Sequence, residues 1–142
     1  MTRITNYLTT AAAVLIATAG IASAQGPLTA EVPFAFHIAG KVMEPGTVRV
    51  SMLIRSGAGA ILVRNDAAKR SYIVLPKSTG DAPKNWVASG SPKLGFDCST
   101  GACFLAKVWA GNGSAAYSMY SPKTKSGEVQ LTEIVMTPDR GN

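Results

Sequence analysis

Imidazole is almost absent from this chain: His37 is the one histidine, and Cys98 and Cys103 are the two cysteines. These scarcities remove whole classes of chemistry. A Ser-His-Asp or Cys-His site would have to use His37, because such nucleophiles need a base within hydrogen-bond reach. His37 alternates with Phe36 and Ile38, which predicts an outward or rim side chain with a structural or solvent-facing role. A structural zinc site takes four ligands and a catalytic one at least three, so two cysteines and a remote histidine make a poor set. The eight acids lie singly and form no Asp-x-Asp-x-Asp-Gly calcium loop. Asp97 and Glu133 are the carboxylates that could still meet in space, as in a glycosidase. No Gly-x-Ser-x-Gly elbow, phosphate-binding loop or His-Glu-x-x-His segment occurs. The expectation is a protein without enzymatic activity, metal or cofactor.

Acidic residues are also few, eight against fourteen lysines and arginines. The bases are scattered, with Lys69-Arg70 the adjacent pair. Nucleic-acid surfaces cluster their bases and interleave stacking aromatics, so this excess reads as a solvated surface and excludes a nucleic-acid partner. Long apolar runs are scarce too. The run from Ala11 to Ala22 follows a short polar segment with Arg3 and ends on Ala22-Ser23-Ala24. That is the plan of a secretory signal peptide over residues 1–24, cleaved between Ala24 and Gln25. A spanning helix needs roughly 20 apolar residues, so no stable membrane insertion is expected after cleavage. The mature chain, residues 25–142, would carry a net charge of +5 once Arg3 is gone. It has the size of a single domain and is expected in the periplasm or outside the cell.

Within that domain the prevailing pattern is alternation of apolar and polar residues between Gly, Pro, Asn and Ser, the signature of short strands. Val32, Phe34, Phe36 and Ile38 put four bulky side chains on one face of an expected strand, with Pro33 placing it at an edge or making its start irregular. Pro45-Gly46 predicts a hairpin turn. Val48, Val50, Met52 and Ile54 then point inward along a second strand, Leu53 breaking the outward face. After a Ser56-Gly57-Ala58-Gly59 turn, AILVRN and SYIVLPK are apolar on both faces, which predicts central strands covered from both sides. Residues 78–91 read as loop. Trp86 inside them either folds back to cap the core or is an exposed contact. KLGFDC, CFLAKVWA, AAYSMYS and EVQLTEIVMT complete seven or eight strands, the pattern of a single all-β antiparallel sandwich or small barrel. Asn112-Gly113-Ser114 is read as a turn. Trp109, Tyr117, Met119 and Tyr120 form the densest aromatic group, serving either the core or an apolar patch.

The segments VPFAFHIAGKVMEPGTVRV, ILVRN, SYIVLP and KLGF…CFLAKVW resemble a family of small secreted bacterial proteins of unknown function. Its marks are a V-P-F-x-F strand, a G-K and P-x-G hairpin and a late F-L-x-x-V-W strand. The resemblance covers most of Val32 to Trp109 and carries no catalytic residue, and the pair of cysteines departs from the family's polar hairpin.

FDCSTGACF sets Cys98 and Cys103 on either side of a short turn. In an oxidising compartment a disulfide persists. Opposed strand positions lie about 4.5–5.5 Å apart at Cα, within disulfide reach. The competing readings are a redox pair, which favours Cys-x-x-Cys at a helix N-terminus, and a metal site. Two function classes follow. The first is an exported structural or interaction module whose edge strands make its contacts. The second is a lipocalin-like carrier for a small apolar ligand, with Phe34, Phe36, Met52, Ile54 and Trp109 lining a barrel cavity. The partner in either case is an unidentified protein or a small apolar molecule.

Overall fold

The computed structural model describes residues 26–55, 58–99, 101–122 and 130–139. The expected leader, its cleavage point and the Ser56-Gly57 tip lie outside them. Strand β1 (Leu28–Val32) buries alternate residues, Leu28, Ala30 and Val32. The expected continuous strand from Val32 to Ile38 is broken. At Pro33, which has no N–H to give to a ladder, the chain leaves one sheet, and β2 (Phe36–Ile38) begins in another. All four bulky residues nevertheless face the interior, Phe34 only partly buried.

The first hairpin also differs. It joins β2 to β3 (Lys41–Met43) over Ala39 and Gly40, with φ of 49° and 75°, the hand a two-residue hairpin requires. Pro45-Gly46, expected as that turn, instead returns the chain to the first sheet, with Gly46 at φ 141°. There β4 (Gly46–Arg55), β5 (Ala58–Asn65) and β6 (Arg70–Val74) form an antiparallel meander. β4 and β5 bury Val48, Val50, Ile61 and Val63 at alternate positions. β6 ends the sheet, and Ile73 is 61% exposed. The expected cover on both sides therefore fails for this strand, because one face of an antiparallel sheet can meet water.

Residues 78–91 hold more structure than a loop: β7 (Ser78–Gly80) and a short helix α1 (Lys84–Ser89), too brief to show a helical period. β8 (Lys93–Ser99), β9 (Ala102–Trp109), β10 (Ala116–Ser118), β11 (Gln130–Val135) and β12 (Thr137–Pro138) follow. Among the described residues this makes twelve strands rather than seven or eight. The excess is short pieces such as β2, β3, β7 and β12, formed where the chain crosses between sheets or runs along an edge.

Two sheets pack together as a sandwich, not a closed barrel, among the described residues. The first runs β12-β1-β4-β5-β6. The second runs β11-β8-β9-β10-β7, with β2 also beside β9 and β3 beyond it. One side of the sandwich is clasped: β11 in the second sheet continues through buried Met136 into β12 in the first, and the Met136 N–H donates to the Pro92 carbonyl at 2.9 Å. The core lies between the sheets. Phe96 at its centre receives Phe34 and Phe36 edge-on at centroid distances of 5.1 and 5.0 Å, each pair adding about 0.5–1.5 kcal/mol beyond burial.

Side chains secure the corners. Asn65, 1% exposed, donates Nδ2–H to the Glu44 carbonyl and accepts the Ala68 N–H, both at 3.1 Å. It thus ties the crossover before β4 to the turn after β5. Arg49 and Arg64 stand directly opposite each other on β4 and β5. Their repulsion is offset by Asp66, which pairs with both, and by Asp139, 2.7 Å from Arg49 Nε in an ion pair not aligned as a hydrogen bond. A second cluster forms beneath α1, where Trp86 and Trp109 pack at 6.4 Å with Ala116. Trp86 therefore caps the fold, one of the two roles expected for it.

Candidate functional site

Among the described residues the side opposite the clasp is open, and the second sheet is interrupted there. Along its edge away from β8, β9 meets β2 in parallel register at Phe104 and β10 in antiparallel register at Lys107–Trp109. Leu105 and Ala106 fall between those two pairings. A register shift opposite Gly95 and Phe96 makes Ala106 the extra residue of a bulge. Its carbonyl accepts the Met119 N–H at 2.8 Å. A seam thus separates β2 from β10.

Cavities flank the seam on both faces of the sheet. The outer one, about 470 Å³, is walled by His37, Phe104, Tyr120 and Ser121. The inner one, about 280 Å³, opens between the sheets against Val74, Leu75, Leu105 and Met119. Ile38, Ala39 and Tyr120 line both, so the two cavities adjoin. Val74, Leu105, Met119 and Ile38 are core residues, each less than one-tenth exposed. At the rim Leu75 is 68% and Tyr120 78% exposed. Solvent-facing aromatic and aliphatic groups therefore lead directly to the hydrophobic core.

Polar groups are few and mostly committed. Asp97, Phe104 and His37 stand side by side on β8, β9 and β2. The His37 imidazole stacks on Phe104, consistent with the rim position expected of it, and the Ser121 hydroxyl donates to Asp97 Oδ2 at 2.8 Å. Lys77 holds its ammonium 5.7 Å over the Tyr120 ring. The Lys107 ammonium donates to Ser118 Oγ at 3.2 Å. This is the chemistry of a binding cleft: a mainly apolar surface, a few orienting polar groups and the Lys77 ammonium over the rim residue Tyr120.

The residues expected to line a barrel cavity are distributed otherwise. Phe36 is fully buried in the main core, with Phe34 and Met52 packed partly buried against it, whereas Trp109 belongs to the second cluster. The Ile54 side chain lies outside the described residues. The aromatic group also divides: Trp109 and Met119 are buried, Tyr117 packs against the core, and Tyr120 alone of the four is exposed. Asp97 and Glu133 come to neighbouring strands, where Asp97 faces Leu131 and Glu133 faces Gly95. Each has a structural partner, Ser121 for Asp97, and Trp86 Nε1 and Asn85 for Glu133, at 2.6 and 3.2 Å. The Cys98 and Cys103 sulfurs are at disulfide distance, on directly opposed positions of β8 and β9. Their Cα atoms are 4.0 Å apart, closer than expected. Strand pairing continues past them to Ser99 and Ala102, with Gly101 at φ 80° in the tip. Among the described residues, no group of three or more His, Cys, Asp or Glu could hold a metal ion.

Phe104, Ser121, Lys77 and Leu75 escaped the sequence-based reading as site residues. They share no common signal: Leu75 and Lys77 follow the short strand β6, Phe104 lies inside β9, and Ser121 is a small polar residue beyond β10. Comparison with protein-family models, curated proteins and solved structures finds no match for the chain.

Proposed function

We propose that the chain is exported, with residues 1–24 removed, and acts as a non-catalytic binding module of the cell envelope or extracellular space. The open side of the sandwich carries this reading: among the described residues β6 ends its sheet unpaired on one edge, beside a cleft rimmed by exposed Leu75 and Tyr120. A free strand edge offers N–H and C=O groups for strand addition, and an adjacent apolar cleft accepts an anchoring side chain. Export and binding are tested together by native mass spectrometry of the protein isolated from the cell-envelope fraction. The expected species begins at Gln25 and carries a bound partner that a Tyr120→Ala, Leu75→Ser double variant loses. Retention of residues 1–24 in a cytosolic species, or binding indifferent to both substitutions, would contradict the proposal.

A second reading rests on a separate observation, the continuity of the cleft with the core. A small apolar ligand would then enter between the sheets at Val74, Leu105 and Met119, rather than through the mouth of a barrel.

A further inference from the structure

We infer that the inner cavity takes the hydrocarbon tail of a single-chain anionic amphiphile whose headgroup is held at the rim by Lys77. The inference rests on the small-ligand reading above and names its ligand class.

The walls select the tail. Val74, Leu75, Leu105 and Met119 present aliphatic and thioether surface without a hydrogen-bonding side chain. A polar ligand group inserted among them would lose its water with only the rim residue Tyr120 to offer a hydrogen-bonding side chain, whereas a methylene chain gains from burial. The unbranched, flexible Met119 suits a surface that must fit a chain of variable shape.

The rim selects the charge. The Lys77 ammonium lies over the face of Tyr120, a residue common to both cavities. One residue, Pro76, separates Lys77 from the wall residue Leu75, and the Lys77 N–H donates to the Ser118 carbonyl at 2.7 Å, which fixes the backbone beside the cleft. The nearby carboxylate, Asp97, already accepts the Ser121 hydroxyl on the outer face. An anion at the rim therefore meets the cation of Lys77, while its tail enters the inner cavity. The carboxylate of a medium-chain fatty acid fits this charge, and so does the phosphate of a lysolipid; the free acid serves as the probe.

Isothermal titration calorimetry with monomeric decanoate tests the inference, with decanol and decyltrimethylammonium as the neutral and cationic controls. Decanoate is expected to bind more tightly than either. Lys77→Gln should weaken it about two- to fivefold, the worth of an exposed ion pair, while leaving decanol unchanged. Leu75→Asp, at an exposed position that the fold tolerates, should weaken decanoate at least fivefold. Methyl NMR shifts should concentrate at Met119, Leu105 and Ile38 and spare Ile73 and Leu131. Equal binding of all three probes overturns the anionic assignment while the small-ligand reading stands. No binding of any probe overturns both. Attachment to anionic vesicles without uptake of monomeric decanoate also overturns the inference, since it reports surface adsorption of a basic protein.

Discussion

The His37 imidazole lies stacked on the Phe104 ring, with centroids 4.6 Å apart and planes inclined by 21°. That contact joins β2 to β9 where the two strands share a single register position, His37 opposite Phe104. It stands at the edge of the seam where the sheet opens, so ring packing compensates for sparse backbone pairing.

A double-mutant cycle on this pair should give a coupling of about 0.5–1 kcal/mol, typical of an aromatic contact beyond its buried area. His37→Ala alone should cost about 1 kcal/mol in urea denaturation, and Phe104→Ala about 2, since Phe104 is only partly buried. A coupling of zero would reduce the stack to coincidental proximity.

The Cys98 and Cys103 pair should behave as a local staple. Four residues intervene between them, so replacing both with serine should cost about 2 kcal/mol in the loop-closure account. The neighbouring Phe104 walls the outer cavity, and Asp97 opposite it accepts the hydroxyl of the wall residue Ser121, so ligand affinity should fall in parallel. Thiol titration of the native exported protein should find no reactive thiol; two would refute the staple.

Gly95 lies beneath the indole of Trp86. A methyl group at that position would stand 3.0 Å from Trp86 Cη2 and 3.4 Å from Leu131 Cδ1. Gly95→Ala should therefore destabilise by about 1–3 kcal/mol, the usual cost of overpacking, with a change in tryptophan fluorescence. Glu133→Ala should cost about 1–2 kcal/mol, because the Trp86 N–H loses its acceptor at a buried position. Unchanged fluorescence in Gly95→Ala would mean that the indole is not held where the structure puts it.

Asn65→Ala leaves the Glu44 carbonyl and the Ala68 N–H without their partner. The expected loss is about 2–3 kcal/mol, larger than for an exposed asparagine, since two groups are stranded around a buried side chain. Hydrogen exchange should quicken at Ala68 first. A loss below the scatter of surface substitutions would show that water replaces both bonds.

Much of the strand content was legible because side chains alternate across a strand whatever its partner. The alternation puts Val48 and Val50 in the interior, and both are buried. It likewise puts Phe34 and Phe36 on the inner face, where both pack, although the chain changes sheets at Pro33 beside them. Proline and glycine marked the breaks at Pro33 and Pro45-Gly46 but not their kind, because a hairpin and a sheet crossing use the same local conformations. The helix around Trp86 was missed because six residues are too few to display a period. The cleft was less legible than the fold. Tyr120 belongs to an aromatic group visible in the sequence, while Lys77, Leu75 and Phe104 carry no motif.

By itself the sequence determined that the domain is all-β, which residues face inward on its long strands, and that its two cysteines bracket a turn. These are consequences of neighbouring residues, whose alternation and turn chemistry act over a few positions. Only the tertiary structure decided that two sheets are clasped at Met136 and open beside β6. It alone divided the aromatic residues between two clusters and brought Lys77, Leu75 and Tyr120 to one cleft. Those outcomes depend on which strands pair across long stretches of chain, and pairing is set by the packing of the whole core.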